Sequence, residues 1–449
     1  MIPLRLSELA RRSAPRYTSY PTAPSFGPDV GPETYEAWLS GLSDAAGTAS
    51  LYLHVPFCRA ICNYCACTTR ATRSDEPLRA YARRLRREIG LIADRTGRLP
   101  VSHIHWGGGT PNLLPPDLFD ELVADMRGRF DVRPDAEHAI ELDPRWVTRE
   151  SARRLAAAGV TRASLGVQDF DEDVQRAIGR PQPFSVVKAA VSALRGAGVA
   201  GLNFDLIYGL PHQTMSSIRD TARRAASLAP DRIALFGYAH VPWFRANQRL
   251  IAESALPAAA DRYDLAETAR ETLLSAGYDA VGIDHFARPA DALRRAAHEG
   301  RLRRNFQGYT TDRSDVLIGL GPSAIGRSHQ GFAQNAADAG GWARALDAGR
   351  FATVKGYALT PEDRLRSDVI EALMCGFSAD LGEAARVHGF EARVFDDDLA
   401  KLRPLVEQEF LRIDGRRVTI TRDAPSLARI VASAFDAHLG AGARHSAVV

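Results

Sequence analysis

Between residue 50 and about residue 290, short apolar runs alternate with longer stretches whose apolar positions recur every three or four residues, the pattern of consecutive strand and helix units. Six strands are predicted in order, at 51–55, 102–106, 139–142, 162–167, 202–208 and 232–239. The first intervening helix shows the logic. Leu78, Tyr81, Ala82, Leu85, Ile89 and Ile92 share one face, the Arg-rich face is left to water, and Gly97 stands just past the end. Parallel strands need helical crossovers, so such a series gives either a doubly wound sheet or a barrel, and the pattern leaves both open. A seventh strand-like run, 278–283, precedes a polar stretch, 284–305. After about residue 356 the pattern is mainly helical, with a hairpin at 411–421 turning on Asp414-Gly415 and a helix at 426–439, which suggests a small winged-helix-like cap.

A chain of 449 residues exceeds what one core usually serves, so two domains or a barrel with an appendage are expected. With 45% hydrophobic and 25% charged residues it is neither disordered, collagen-like nor disulfide-dense. No run of 18 apolar residues occurs and residues 1–13 lack an apolar segment, so neither a membrane span nor a secretory signal is expected, and the location read is cytoplasmic. The net charge of +3 comes from basic and acidic residues spread along the chain, which disfavours nucleic acid as a partner.

Cysteine carries the chemistry. Cys58, Cys62, Cys65 and Cys67 fall within ten residues, directly after the first strand, and the fifth, Cys375, lies between apolar neighbours as a core thiol. A disulfide framework is a poor account of a chain this long without a secretory segment. Zinc usually takes two separated ligand pairs, and no second pair follows. Iron-sulfur clusters are held by cysteine thiolates, and a four-iron cluster held by only three leaves one iron open to another ligand.

Cys58-x3-Cys62-x2-Cys65, with Tyr64 before the last thiol, resembles the signature of radical S-adenosylmethionine enzymes. The resemblance implies a [4Fe-4S] cluster on Cys58, Cys62 and Cys65, its fourth iron chelated by S-adenosyl-L-methionine that is cleaved to a 5'-deoxyadenosyl radical. The segments 16–23 (RYTSYPTA), 65–67 (CAC), 105–111 (HWGGGTP), 166–169 (GVQD), 203–211 (NFDLIYGLP) and 305–311 (NFQGYTT) are similar to the oxygen-independent coproporphyrinogen III oxidases, nearly end to end. Ala66 and Asn112 stand where that family usually has glycine and threonine, and neither change removes a ligand.

The fold so implied is α/β: a partial (β/α)6 TIM-like barrel with an N-terminal arm and a mainly helical, winged-helix-like C-terminal domain. The expected divisions are an arm, 1–48, a barrel, 49–290, an extension and connection, 291–356, a helical domain, 357–440, and a disordered tail, 441–449. Carried over residue by residue, the resemblance implies that Tyr52, Gly108, Glu141 and Ile325 contact the nucleotide bound at the cluster. Tyr64, Gly109, Thr110, Gln168, Arg180, Asp205 and Ala239 match positions lining a second S-adenosylmethionine site. The implied activity is oxidative decarboxylation of two propionates of coproporphyrinogen III to vinyl groups, giving protoporphyrinogen IX. The implied partners are a porphyrinogen substrate and a reductase feeding the cluster, with the chain a monomer.

Read without the resemblance, several of these residues stay open. The glycine run 107–109 is a tight turn or exposed backbone for a ligand. Glu141 is a structural ion-pair partner or a ligand to a cationic amine, and Asp205 interrupts an apolar strand and needs a hydrogen-bonding partner. Arg16 and Tyr20 suit propionate groups or simply anchor the arm. His54 is more often a satisfied core residue, the role of Cys67 is open, and Asp284-His285 has no assigned part. Rival readings are a haem-trafficking protein on the same barrel, whose kind generally lacks the counterpart of Cys67 and the 16–23 arm, and a radical methyltransferase or cyclopropanase.

Overall fold

All six predicted strands form, and their spatial order decides between the two architectures. The computed structural model describes residues 14–42 and 47–439, so parts of the arm and the tail expected to be disordered lie outside the described residues. Strands β1 (Ala49–Val55), β2 (Pro100–Gly108), β3 (Asp131–Leu142), β4 (Arg162–Gln168), β5 (Gly201–Tyr208) and β6 (Arg232–Gly237) lie side by side in sequence order, each parallel to the next. A doubly wound sheet reverses its order at a switch point. An unbroken order with right-handed crossovers puts the helices on one face and curls the sheet around the other.

The barrel is partial because β1 and β6 do not pair with each other. The run at 278–283 does not extend the parallel set. It forms only β7 (Asp279–Val281), which turns back into β8 (His285–Ala287), and β8 pairs antiparallel with β6. Too few residues separate β7 from β8 for a crossover, so a hairpin results. At the other edge β9 (Val316–Leu320) pairs parallel with β1, followed by antiparallel β10 (Ile325–Arg327), β11 (Gly331–Asn335) and β12 (Thr353–Ala358). Strand β3 begins eight residues before the predicted start; its polar first half pairs at the solvent edge, and a register shift between Val101 and His103 separates it from the buried half.

Helix α1 (Glu76–Thr96) buries all six residues of its predicted stripe to 3% exposure or less, and Gly97 ends it with φ +64°. Each such Leu or Ile contributes about 1.5–3 kcal/mol. The exception on this face is Glu88, also buried, whose carboxylate accepts from Gly321 N (2.7 Å), Asn335 Nδ2 (2.7 Å) and Trp342 Nε1 (3.1 Å). One acid on α1 thereby ties the barrel to the segment that carries β9 to β11.

A second apolar core lies among residues 365–435, built from α2 (Pro361–Gly376), α3 (Ala424–Ser433) and a three-stranded sheet of Ser378–Asp380, Leu411–Asp414 and Arg417–Ile420. The hairpin turns at Gly415, φ +59°, as its sequence predicts. The last helix stops earlier than predicted, because the residues beyond it clasp the arm: Tyr17 Oη donates to Asp436 (2.9 Å) and Ala437 N donates to Tyr20 Oη (3.0 Å). Ala14, Tyr17 and Tyr20 pack into this second core.

Candidate active site

Along β3 to β6 every second residue faces inward. Glu137, Ala139 and Glu141, then Arg162, Ser164, Gly166 and Gln168, then Asn203, Asp205 and Ile207, then Arg232, Ala234 and Phe236, line one cavity of about 350 Å³. Leu202, Phe204 and Leu206, the alternate positions of β5, are fully buried on the opposite face of the sheet. Closed parallel barrels fill their interior with branched apolar side chains; this one is hollow, its wall a mixture of apolar and converging polar side chains, as in a ligand cavity.

The cysteine loop forms one wall. Its ends are pinned by short parallel pairing of Phe57 with Arg70 and Cys58 with Ala71. Its backbone is held from the loop after β6, where Asn247 Nδ2 donates to Cys62 O (3.0 Å) and Cys65 O (2.9 Å) and Gln248 Nε2 to Tyr64 O (2.8 Å). Asn63 Nδ2 donates to Ala177 O (3.0 Å). With the carbonyls of Cys58, Cys62 and Cys65 held by hydrogen bonds, Cys58, Cys62, Cys65 and Cys67 all border the cavity, and all four are free thiols.

The thiols sit in different settings. Burial pushes Cys58 up, partly offset by hydrogen bonds with Thr110 and Thr69, each 3.3 Å away. Cys65 is held down at about 7 by its hydrogen bonds with Cys67, reinforced by Arg245 and Arg180, and Cys67 is pushed up by the same contact. Arg180 brings Nη1 to 3.5 Å from Cys62 Sγ and 3.4 Å from Asp143, while Nη2 donates to Gly166 O (2.9 Å). Its Nε is buried without a partner, as are Gln168 Oε1, Arg162 Nη1 and Arg232 Nη2. Unpaired polar atoms around one hollow are what a bound polar ligand satisfies.

Glu141 lies between His105 Nε2 (3.2 Å) and Gly108 N (3.0 Å). Burial works against its charge, but His105 and the Gly108 amide more than offset it, so the carboxyl is held low and ionised. Asp205 accepts from Ser164 (2.9 Å) and Asn203 (3.0 Å), so the partner its position demands is partly supplied by the protein; burial, with Glu141 nearby, pushes it up to about 6. Gln168 adopts φ +67°, an uncommon conformation for a side-chain-bearing residue, at the register shift between β4 and β5. A Cβ on Gly109 would stand 2.5 Å from Phe57 O, so the backbone approaches the loop as only glycine allows.

Of the fourteen site residues expected from sequence, Cys58, Cys62, Cys65, Tyr64, Gly108, Gly109, Thr110, Glu141, Gln168, Arg180 and Asp205 border this cavity. Tyr52, Ile325 and Ala239 are not among its lining residues. Tyr52 stacks on His105 at 5.9 Å and reaches His54 Nδ1 (3.0 Å), and its strand partner Gly319 abuts the Ile325 backbone. His54 has both ring nitrogens occupied, the second by Thr68 O (2.8 Å). Tyr20 anchors the arm, whereas Arg16 reaches Gly237 O (3.1 Å) at the end of β6. Cys375, which burial pushes up to about 12, packs beside a small apolar cluster. Sequence reasoning missed His105, Asp143, Ser164, Asn203, Asn247 and Gln248; in a strand or loop read alone, such polar residues carry no signal of where they aim.

The donor set fits a sulfur-held cluster better than a single ion. Three thiols on one loop would each bind a different iron, and among the described residues no group of three His, Cys, Asp or Glu side chains is gathered around one metal ion. The fold and this loop define a radical S-adenosylmethionine enzyme, and the model of the Radical SAM superfamily matches residues 52–225. The chain is 52% identical to the oxygen-independent coproporphyrinogen III oxidase of Bradyrhizobium diazoefficiens over 97% of each chain, and 46% identical to that of Paracoccus denitrificans over 97% and 96%. The coproporphyrinogen III oxidase of Escherichia coli, described as a radical SAM enzyme, superposes with a TM-score of 0.90 at 37% identity, covering 94% of this chain and 98% of the other. The chain belongs to the family of oxygen-independent coproporphyrinogen III oxidases.

Proposed function

We propose that the chain converts coproporphyrinogen III to protoporphyrinogen IX without oxygen, by removing two propionate carboxyl groups and leaving vinyl groups. For each side chain one hydrogen atom leaves the carbon next to the pyrrole, the bond to the carboxylate breaks, carbon dioxide departs and one electron passes to an acceptor. The observation that carries the reading is the union of three free thiols from one loop with a hollow barrel interior on which polar side chains converge.

Cys58, Cys62 and Cys65 would hold a [4Fe-4S] cluster, and with S-adenosylmethionine bound that cluster supplies a carbon radical able to abstract hydrogen. The chain's residues bind and orient. Glu141, ionised and braced by Gly108 N, offers an acceptor to the ammonium of a first nucleotide, with Tyr52 and Ile325 behind it. Gln168 Oε1 and Arg180 Nε offer unpaired groups to a second, with Tyr64, Gly109, Thr110, Asp205 and Ala239 completing its surround. Nothing here needs a macromolecular substrate. Among the described residues no helix is long and apolar enough to cross a membrane, and the reading extends to a cytoplasmic monomer served by a reductase.

Anaerobic iron and sulfide counts on wild type and Cys62→Ala test the ligand set: wild type is expected to hold four irons per chain, and a variant that keeps all four sinks it. An anaerobic assay with reductant, S-adenosylmethionine and coproporphyrinogen III tests the substrate. Formation of 5'-deoxyadenosine without vinyl product rejects it.

A further inference from the structure

A second, smaller cavity of about 80 Å³ lies where the arm, the barrel edge and the C-terminal domain meet. Five arginines line it, Arg16, Arg262, Arg270, Arg304 and Arg429, of which Arg270 is paired with the lining Glu267 at 3.5 Å. Arg262, on helix α4 of the barrel edge (Ala259–Ser275, preceding α2 in the chain), lies over the ends of β5 and β6 and donates to Tyr238 O (2.9 Å). Arg429, on α3, reaches back to Pro15 O (3.0 Å). Arg304 stacks over Tyr309 at 4.5 Å; its side chain is 7% exposed, and its Nε and Nη1 are buried without a hydrogen-bond partner. The nearest carboxylate, Asp284, is 3.9 Å from Arg304 and is already engaged by His285 at 2.7 Å.

The field inside is strongly positive. Burial works against the charge of Asp284, yet His285, Arg304 and Arg16 hold it down at about 2, and burial together with Arg16 lowers Arg429 to about 10. Buried guanidinium N–H groups left unpaired are costly, and a planar carboxylate matches their fork geometry. The wall between the two cavities is one residue thick: Asp284 lines the small one and its neighbour His285 the large one, and Tyr309, under Arg304, also faces the large one.

We propose that this cavity is a carboxylate subsite, which holds a propionate of the tetrapyrrole that is not undergoing reaction. The inference rests on the substrate reading above. A substrate with four propionates, two of them retained, has carboxylates to spare for anchoring, and Arg304 lies on the wall of this cavity.

The test is binding of coproporphyrin III, the fluorescent non-reacting macrocycle, to the iron-loaded protein without reductant. Arg304→Gln is expected to raise Kd about 10- to 100-fold, the loss of a buried charge-assisted hydrogen bond, and Arg304→Lys to recover part of it. Arg262→Gln, on the opposite wall, should weaken binding in the same sense and serves if the first variant does not accumulate folded. The tetramethyl ester, which lacks carboxylates, should bind wild type and variants alike. Wild-type affinity in both Gln variants, equal loss of ester binding, or no measurable binding to wild type overturns the subsite. Arginine-dependent binding in an enzyme that forms no vinyl product would instead leave the subsite standing and reject the decarboxylation reading.

Discussion

Arg180 sets one guanidinium nitrogen 3.5 Å from the sulfur of Cys62, across 118 residues of sequence. The contact brings a cation from the loop after β4 against a thiol from the loop after β1, with Asp143 from the end of β3 on the same guanidinium. Three strand ends are thus coupled through one side chain. Arg180→Ala is expected to lower turnover about 100-fold and Arg180→Lys about 10-fold, because an ammonium keeps the charge but cannot reach Cys62, Asp143 and Gly166 O together. Steady-state kinetics with iron content measured alongside separates loss of chemistry from loss of cluster.

Gly109→Ala is expected to push the backbone away from Phe57 O, since its Cβ would lie 2.5 Å from that carbonyl. Overpacking of this kind costs about 1–3 kcal/mol. Chemical denaturation of the variant should show the loss, and Gly128→Ala, which meets nothing within 4 Å and lies within a helix, should show none.

Asp205 ionises only above about 6, so its value as an acceptor falls as pH drops through that point. Nucleotide affinity of the wild type should therefore weaken between pH 7 and pH 5, and that slope should vanish in Asp205→Asn. Equilibrium dialysis with S-adenosylmethionine at several pH values measures it; an equal slope in both proteins assigns the dependence elsewhere.

Glu88 makes the fold itself pH-sensitive. Burial raises its carboxyl from 4.5 to about 7 against the pull of three donors, so the folded state binds the proton more tightly than the unfolded state does. The stabilisation is complete below about pH 4.5 and is lost as pH rises to about 7, a change of ~3 kcal/mol. Urea midpoints for wild type and Glu88→Gln across this window should diverge, the variant lacking this component of the decline.

The strands, α1 and the cysteine loop were legible because each rests on local pattern: an apolar run, a three-and-four spacing, thiols crowded into one loop. Strand β9, which pairs with β1, was not predicted, and neither were the edge strands β10 to β12, where segments such as 321–335 are short, rich in glycine and serine and without an apolar period. The site was legible to the extent that its residues are chemically conspicuous. Ala239 and Ile325 offer a ligand only backbone, and their expected roles came from resemblance alone. His105 and Asn203 act through neighbours on the adjacent strand or two residues away, a relation that exists only once register is set.

The bond between Tyr17 and Asp436 spans 419 positions. A ribosome releasing this chain in order makes the arm first and its seat last, so residues 16–20 wait through nearly the whole of translation before they can settle. The barrel, whose strands all precede residue 360, can assemble during that interval, and the ends of the polypeptide are joined only afterwards.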